Sequence, residues 1–180
     1  MAALVLLSAM PVGSAARADQ TDPALDGLFA ILQTTADPAV ASAADREIWW
    51  RWTESGDDAI DRLMQMGLLA MQGGRLAAAE EVFGEVVALR PDFAEAWNKR
   101  ATVRYFAGNL DGSMADCAQV LALEGRHYGA MSGMGLILMA KGNKRDALEW
   151  FERALAVNPH MVGARLHAEA LRKHLEGEPI

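Results

Sequence analysis

Cysteine is almost missing from this chain: Cys117 is the only one, so a disulfide within the chain is excluded. Positive charge is also short, with 17 Lys and Arg against 24 Asp and Glu and a formal net charge of −7. That balance argues against a nucleic-acid backbone as partner, which needs a basic surface. There is no His-x-x-x-His, no Cys-x-x-Cys and no Gly-rich phosphate loop. His160, His167 and His174 recur at even spacing, but two helical turns, about 10 Å, separate the last two, too far to share a metal. Glu80-Glu81 and Asp57-Asp58 are most simply solvated pairs. No alternating β-type run occurs, and no apolar run reaches the roughly 20 residues of a membrane helix. A catalytic role, a cofactor and a metal site are therefore not expected. Aromatics are few, and alanine, leucine and methionine dominate a composition that is 52% hydrophobic, which favours helices.

What is there is repetition. The segments 60–93, 94–127 and 128–161 superpose without a gap at a period of 34 residues. The eighth position reads Gly67, Ala101, Gly135, and the fifteenth Gly74, Gly108, Gly142. The twentieth reads Ala79, Ser113, Ala147, the twenty-fourth Phe83, Cys117, Phe151, and the thirty-second Pro91, Gly125, Pro159.

Each position has a physical use. Two antiparallel helices approach closely only where side chains are small, which suits Gly67 against Ala79 and Gly135 against Ala147. Phe83 and Phe151 then fill the space towards the next helix. Gly74, Gly108 and Gly142 sit where the first helix of a pair must stop, since glycine tolerates the left-handed backbone that closes a helix. Pro91 and Pro159 end the second helix. One pair cannot bury its apolar face alone, so the pairs stack. Cys117, in the slot of a buried phenylalanine, reads as an inert core thiol.

Flanking segments continue the helical pattern. Asp22-Pro23 and Asp37-Pro38 are helix starts, and the span 19–59 reads as a degenerate helical pair capping the solenoid. In Trp49-Trp50-Arg51-Trp52, Trp49 and Trp52 are expected to pack on the first repeat, leaving Trp50 for the surface. At the other end, 162–176 reads as a capping helix with Leu166, Ala170 and Leu171 inward and Arg165, Glu169, Arg172, Lys173 and Glu176 in water. Residues 1–18 read as an export leader: an apolar stretch from Ala2 to Val12, then Ala16-Arg17-Ala18 as a small-x-small cleavage site. The competing reading is a hydrophobic N-terminal tail. Export places the chain in the bacterial periplasm with no membrane span once the leader is cleaved; a non-functional leader leaves it in the cytoplasm.

The repeated segments resemble the tetratricopeptide repeat family, whose pattern runs Trp-x-x-Leu-Gly-x-x-Tyr, Ala-x-x-x-Phe and then Pro. The third segment carries Met131, Met134, Gly135, Leu138, Ala147, Phe151 and Pro159; the first carries Leu63, Met66, Gly67, Ala70, Ala79, Phe83 and Pro91. The second keeps the signature Trp97 but has Arg100, Arg104, Ser113, Cys117 and Gly125. The resemblance implies an all-α, right-handed superhelix of three helical pairs. Within the family, Ala94–Ala101 and Arg126–Ala130 look like a subgroup of small exported bacterial repeat proteins.

It also implies a concave groove lined by the first helix of each pair. Carried over, its positions are Asp61, Met64, Leu68, Met71 and Gln72, then Glu95, Asn98, Thr102, Tyr105 and Phe106, then Gly129, Ser132, Leu136, Met139 and Ala140, with Lys99 at the rim. Family members that clamp a C-terminal carboxylate use Lys, Asn and Arg, where this chain has Met64, Leu68, Lys99, Gly129 and Gly133. The expected ligand is therefore an apolar or amphipathic protein segment. Such residues can equally be covered by the N-terminal helices or by self-association. Two functions follow: an adaptor or assembly chaperone that binds a peptide segment, or a structural subunit of a homo-oligomer or larger envelope complex.

Overall fold

The 34-residue register becomes a stack of helix pairs in the computed structural model, which describes residues 22–177. Nine helices and no strand occur among the described residues. The first pair is α1 (Ala24–Thr34) and α2 (Pro38–Thr53). Three repeats follow as α3 (Asp58–Gln72) with α4 (Leu76–Leu89), α5 (Ala94–Phe106) with α6 (Leu110–Leu123), and α7 (Tyr128–Ala140) with α8 (Lys144–Val157). The last helix, α9 (Val162–Glu176), packs on α8. The whole is an all-α superhelical solenoid.

The turn inside each repeat is the same object three times. Gly74, Gly108 and Gly142 take φ of 70°, 80° and 80°, a region that a side chain would strain. The next residue then bonds back to the helix it has left: Arg75 N–H to the Ala70 carbonyl at 2.9 Å, Asn109 to Arg104 at 2.8 Å, and Asn143 to Leu138 at 2.9 Å. That is the Schellman closure of a helix.

Within the outer repeats the small eighth residue meets the phenylalanine rather than the alanine expected from the pattern. A Cβ built on Gly67 would stand 2.5 Å from the Phe83 ring, and one on Gly135 would stand 2.8 Å from Phe151. Both rings are fully buried. The second repeat replaces part of this apolar packing with ions. Arg100 donates twice to the buried Asp116, through Nε at 2.9 Å and an Nη at 2.7 Å. Arg104 bonds Asp116 at 2.9 Å and Glu80 of the first repeat at 2.7 Å. These contacts tie α4, α5 and α6 together, which accounts for the two arginines that break the pattern.

The helix α9 keeps the repeat register and buries Leu171 as expected, but not the rest of the expected inward face. Ala164 and Leu171 are buried, like Ala96, Ala130, Val103 and Ile137 at the same repeat positions, while Leu166 and Ala170 are exposed. At the eighth position stands Glu169 instead of a small residue.

The N-terminal pair is the larger departure. It does not place Trp49 and Trp52 on the first repeat. The α1–α2 hairpin folds back along the solenoid and packs on α5 and α8, and on Tyr128 and Met131 of α7. Leu25, Phe29, Leu32, Ile48 and Trp52 form one core with Tyr128 and Met131. The fold-back is pinned by polar contacts: Tyr128 O–H donates to Asp45 at 2.7 Å, and the Asn158 amide donates to the same oxygen at 2.9 Å. The expected leader lies outside the described residues.

Candidate functional site

The face formed by α3, α5, α7 and α9 is the concave surface, and α2 forms a wall along part of it. The terminal methine of Trp49 would stand 2.8 Å from a Cβ on Gly129, so only glycine lets α2 approach this closely. Trp52 stacks on the ring of His127, with centroids 4.2 Å apart and planes 11° apart. Lys99 Nζ lies 5.7 Å from the centre of the Trp49 ring, within cation–π reach.

Beneath this wall lies a buried charged cluster. Glu95 and His127 are both fully buried, and His127 Nε2 is 3.2 Å from a Glu95 oxygen. The Ala130 N–H donates to His127 Nδ1 at 3.1 Å, so Nε2 carries the proton and donates to Glu95. Lys99 Nζ sits 2.7 Å from the other Glu95 oxygen, and the Asn98 amide donates to Glu95 at 2.9 Å. Burial works to raise the Glu95 carboxyl, but the His127 hydrogen bond and the Lys99 charge outweigh it and hold the group below the usual carboxylate range. The only lysine of the groove is therefore already neutralised.

The groove positions thus divide into four groups. Asp61 accepts from Ser55 N–H at 3.1 Å and from its hydroxyl at 2.5 Å, so it holds the α2–α3 loop. Glu95 is engaged by His127, Lys99 and Asn98, and Gly129 receives Trp49 of the hairpin. Met64 is buried in the first-repeat core, with Leu68 and Met71 packed against that core. Met139 is half-buried in the C-terminal core, and Gln72 and Ala140 are exposed.

The remaining residues come together. Asn98, Thr102, Tyr105, Phe106 and Leu136 line one pocket of about 200 Å³ between α5 and α7. Phe106 is 64% exposed and its ring makes an edge contact with Tyr105 at 5.7 Å. Ser132 and Leu136 also border a wider cleft of about 720 Å³ walled by Asp45 and Trp49 on one side and His160 and His167 on the other. Leu136 is the ridge between them. Cys117 is buried, and its desolvation pushes the thiol up to about 12. Among the described residues no three His, Cys, Asp or Glu side chains gather where they could hold a metal ion, and no helix is long and apolar enough to cross a membrane.

The sequence pattern did not reveal the Glu95–His127 pair or the hairpin's grip on Tyr128. The departures of the second repeat, Ser113 and Cys117, were the visible signal of the small pocket, and they read as core residues.

Comparison with known proteins agrees with this fold. Tetratricopeptide repeat family models match residues 64–123 and 129–161. A TPR repeat-containing protein of Rhizobium etli is 40% identical over 153 residues, covering 85% of this chain and 75% of the relative. Among solved structures, the type III secretion chaperone SycD of Yersinia enterocolitica, in complex with a peptide of the translocator YopD, has a TM-score of 0.62 at 16% identity, covering 68% of this chain and 97% of that one. The first TPR of Spaghetti, bound to the HSP90 peptide SRMEEVD, has a TM-score of 0.63 at 19% identity, covering 66% of this chain and 94% of that one.

Proposed function

The chain belongs to the tetratricopeptide repeat family and is a protein-interaction module, and we propose that it is an adaptor or assembly chaperone holding an apolar or amphipathic segment of a partner protein. The observation that carries this is the chemistry of the open part of the groove. Thr102, Tyr105, Phe106 and Leu136 present rings, a methyl and an aliphatic side chain, while Lys99 is spent on Glu95. An acidic peptide would find no free cation on this strip. An apolar segment would find surface that already faces water at a cost. The module works by binding, not by catalysis.

The proposal extends to place. The apolar run Ala2–Val12 and the Ala16-Arg17-Ala18 site support export to the periplasm. N-terminal sequencing of the cell-purified protein checks this: a chain starting at Asp19 supports it, and an intact Met1 in the cytoplasmic fraction rejects it.

The test of binding is in-cell photocrosslinking. A photoreactive residue replacing Tyr105 should give a distinct heterologous adduct, and one replacing Glu81 on the outer helix should not. Self-adducts alone, or equal labelling from both faces, would refute groove binding.

One observation favours the second reading, a structural subunit. Leu69 is 61% exposed on α3, where its repeat equivalents Val103 and Ile137 are buried at 0% and 1%. The fold-back of the hairpin leaves that stacking position uncovered. Light scattering across concentration decides it, since a chain that stays monomeric and brings no complex with it is not such a subunit.

A further inference from the structure

We infer that the second repeat carries a side-chain pocket in the groove floor, and that it takes one large apolar side chain (Phe, Leu or Met) of the bound segment. This rests on the groove reading above. In the first and third repeats the phenylalanine ring lies on a glycine and fills the space between the paired helices. The second repeat has Ala101 and Cys117 at those positions and Ser113 in place of alanine. It gains a methyl group and loses a ring, so a space remains that in its neighbours is solid core.

That space opens towards the concave side because nothing closes it. At the sixth repeat position α3 and α5 carry Gln65 and Lys99; in α7 the residue is Gly133. A Cβ there would lie only 3.3 Å from Cys117 Sγ, which shows how directly the thiol floors the opening. Ala101, Leu136 and Ile137 form the sides, with Tyr105 and Phe106 as the lip.

Size and chemistry together choose the occupant. An apolar cavity of about 150 Å³ accepts a benzene ring and stays dry, and this pocket measures about 200 Å³. It is too small for a drug-sized ligand or a cofactor, whose pockets start at about 300 Å³. No charged side chain lines it, and three of its polar groups already donate within the fold. Ser113 Oγ donates to the Ala101 carbonyl at 2.7 Å, Thr102 Oγ1 to the Asn98 carbonyl at 2.9 Å, and the Asn98 amide to Glu95 at 2.9 Å. A polar side chain entering here loses water against a floor and sides of Ala101, Cys117, Leu136 and Ile137, which offer it no partner. An apolar one gains its full burial, about tenfold to a hundredfold in affinity.

The test selects peptides from a random displayed library on the purified full chain. Their affinities are then compared by fluorescence polarisation for wild type and two variants. Ala101→Gly with Cys117→Phe fills the pocket as in the outer repeats, and Gly133→Gln covers its mouth with the residue found at Gln65. Should the double variant fail to fold, Gly133→Gln alone carries the comparison. The expected result is that selected peptides share one Phe, Leu or Met whose change to Ala weakens wild-type binding about tenfold to a hundredfold. Either variant should then bind the parent peptide as weakly as wild type binds the Ala peptide. Peptides that bind both variants as tightly as wild type overturn the pocket and leave groove binding standing. A library that yields no binder at all rejects the groove reading and the pocket with it.

Discussion

The ring of Phe83 occupies the place a side chain would take on Gly67: a Cβ there would meet Cε1 at 2.5 Å. This contact sets the spacing of α3 and α4, and Gly135 with Phe151 repeats it in α7 and α8. Gly67→Ala should therefore destabilise the fold. Overpacking costs about 1–3 kcal/mol, against which the better helix propensity of alanine returns up to about 1 kcal/mol. Chemical denaturation of Gly67→Ala, Phe83→Leu and the double variant measures the coupling. Additive losses would show that the two residues do not share the space.

A residue at the tenth repeat position should matter only where a preceding helix covers it. Ile137→Ala should cost about 2–4 kcal/mol, whereas Leu69→Ala should stay within about 0.5 kcal/mol. The same unfolding assay checks both. A large loss at Leu69 would mean that this position is covered in solution.

The Glu95 carboxylate makes stability depend on acid. Its folded pKa is lowered, so its contribution is complete above the unfolded value of about 4.3 and is lost as pH falls through the lower folded value. At pH 7, Glu95→Gln should cost about 3 kcal/mol, the scale for breaking a buried ion pair. The gap to wild type should shrink as pH drops below about 4.3. A gap that stays constant or widens on acidification would contradict the assignment.

Gly129→Leu should release the hairpin, because a side chain there meets Trp49. The repeats should keep their helical circular dichroism, while the loop 54–57 becomes open to protease and tryptophan emission shifts to the red. Loss of the whole helical signal in one step would instead mean that the hairpin and the repeats fold as one unit.

The repeat frame was legible because each marker is dictated locally: glycine by a positive φ, the aromatic by its small partner, proline by the end of a helix. The fold-back of α1–α2 was not, because it depends on contacts far apart in sequence. Trp49 reaches Gly129, Asp45 reaches Tyr128 and Asn158, and Arg126 reaches Asp26. The helical spacing of Trp49 and Trp52 predicts a buried stripe but not what it is buried against. In α9, apolar spacing pointed to Leu166 and Ala170 as well as Leu171, whereas the repeat register selects Leu171 with Ala164. Groove positions carried over from the family assumed an empty concave face. Part of that face is walled by α2, and the open strip narrows to the second and third repeats.

The most direct test of the account is hydrogen–deuterium exchange of the full chain with and without the partner segment found by crosslinking from Tyr105. Added protection on α5 and α7, with little change on α4 and α6, is the predicted result. Protection confined to the outer helices, or to the Leu69 face of α3, would contradict groove binding.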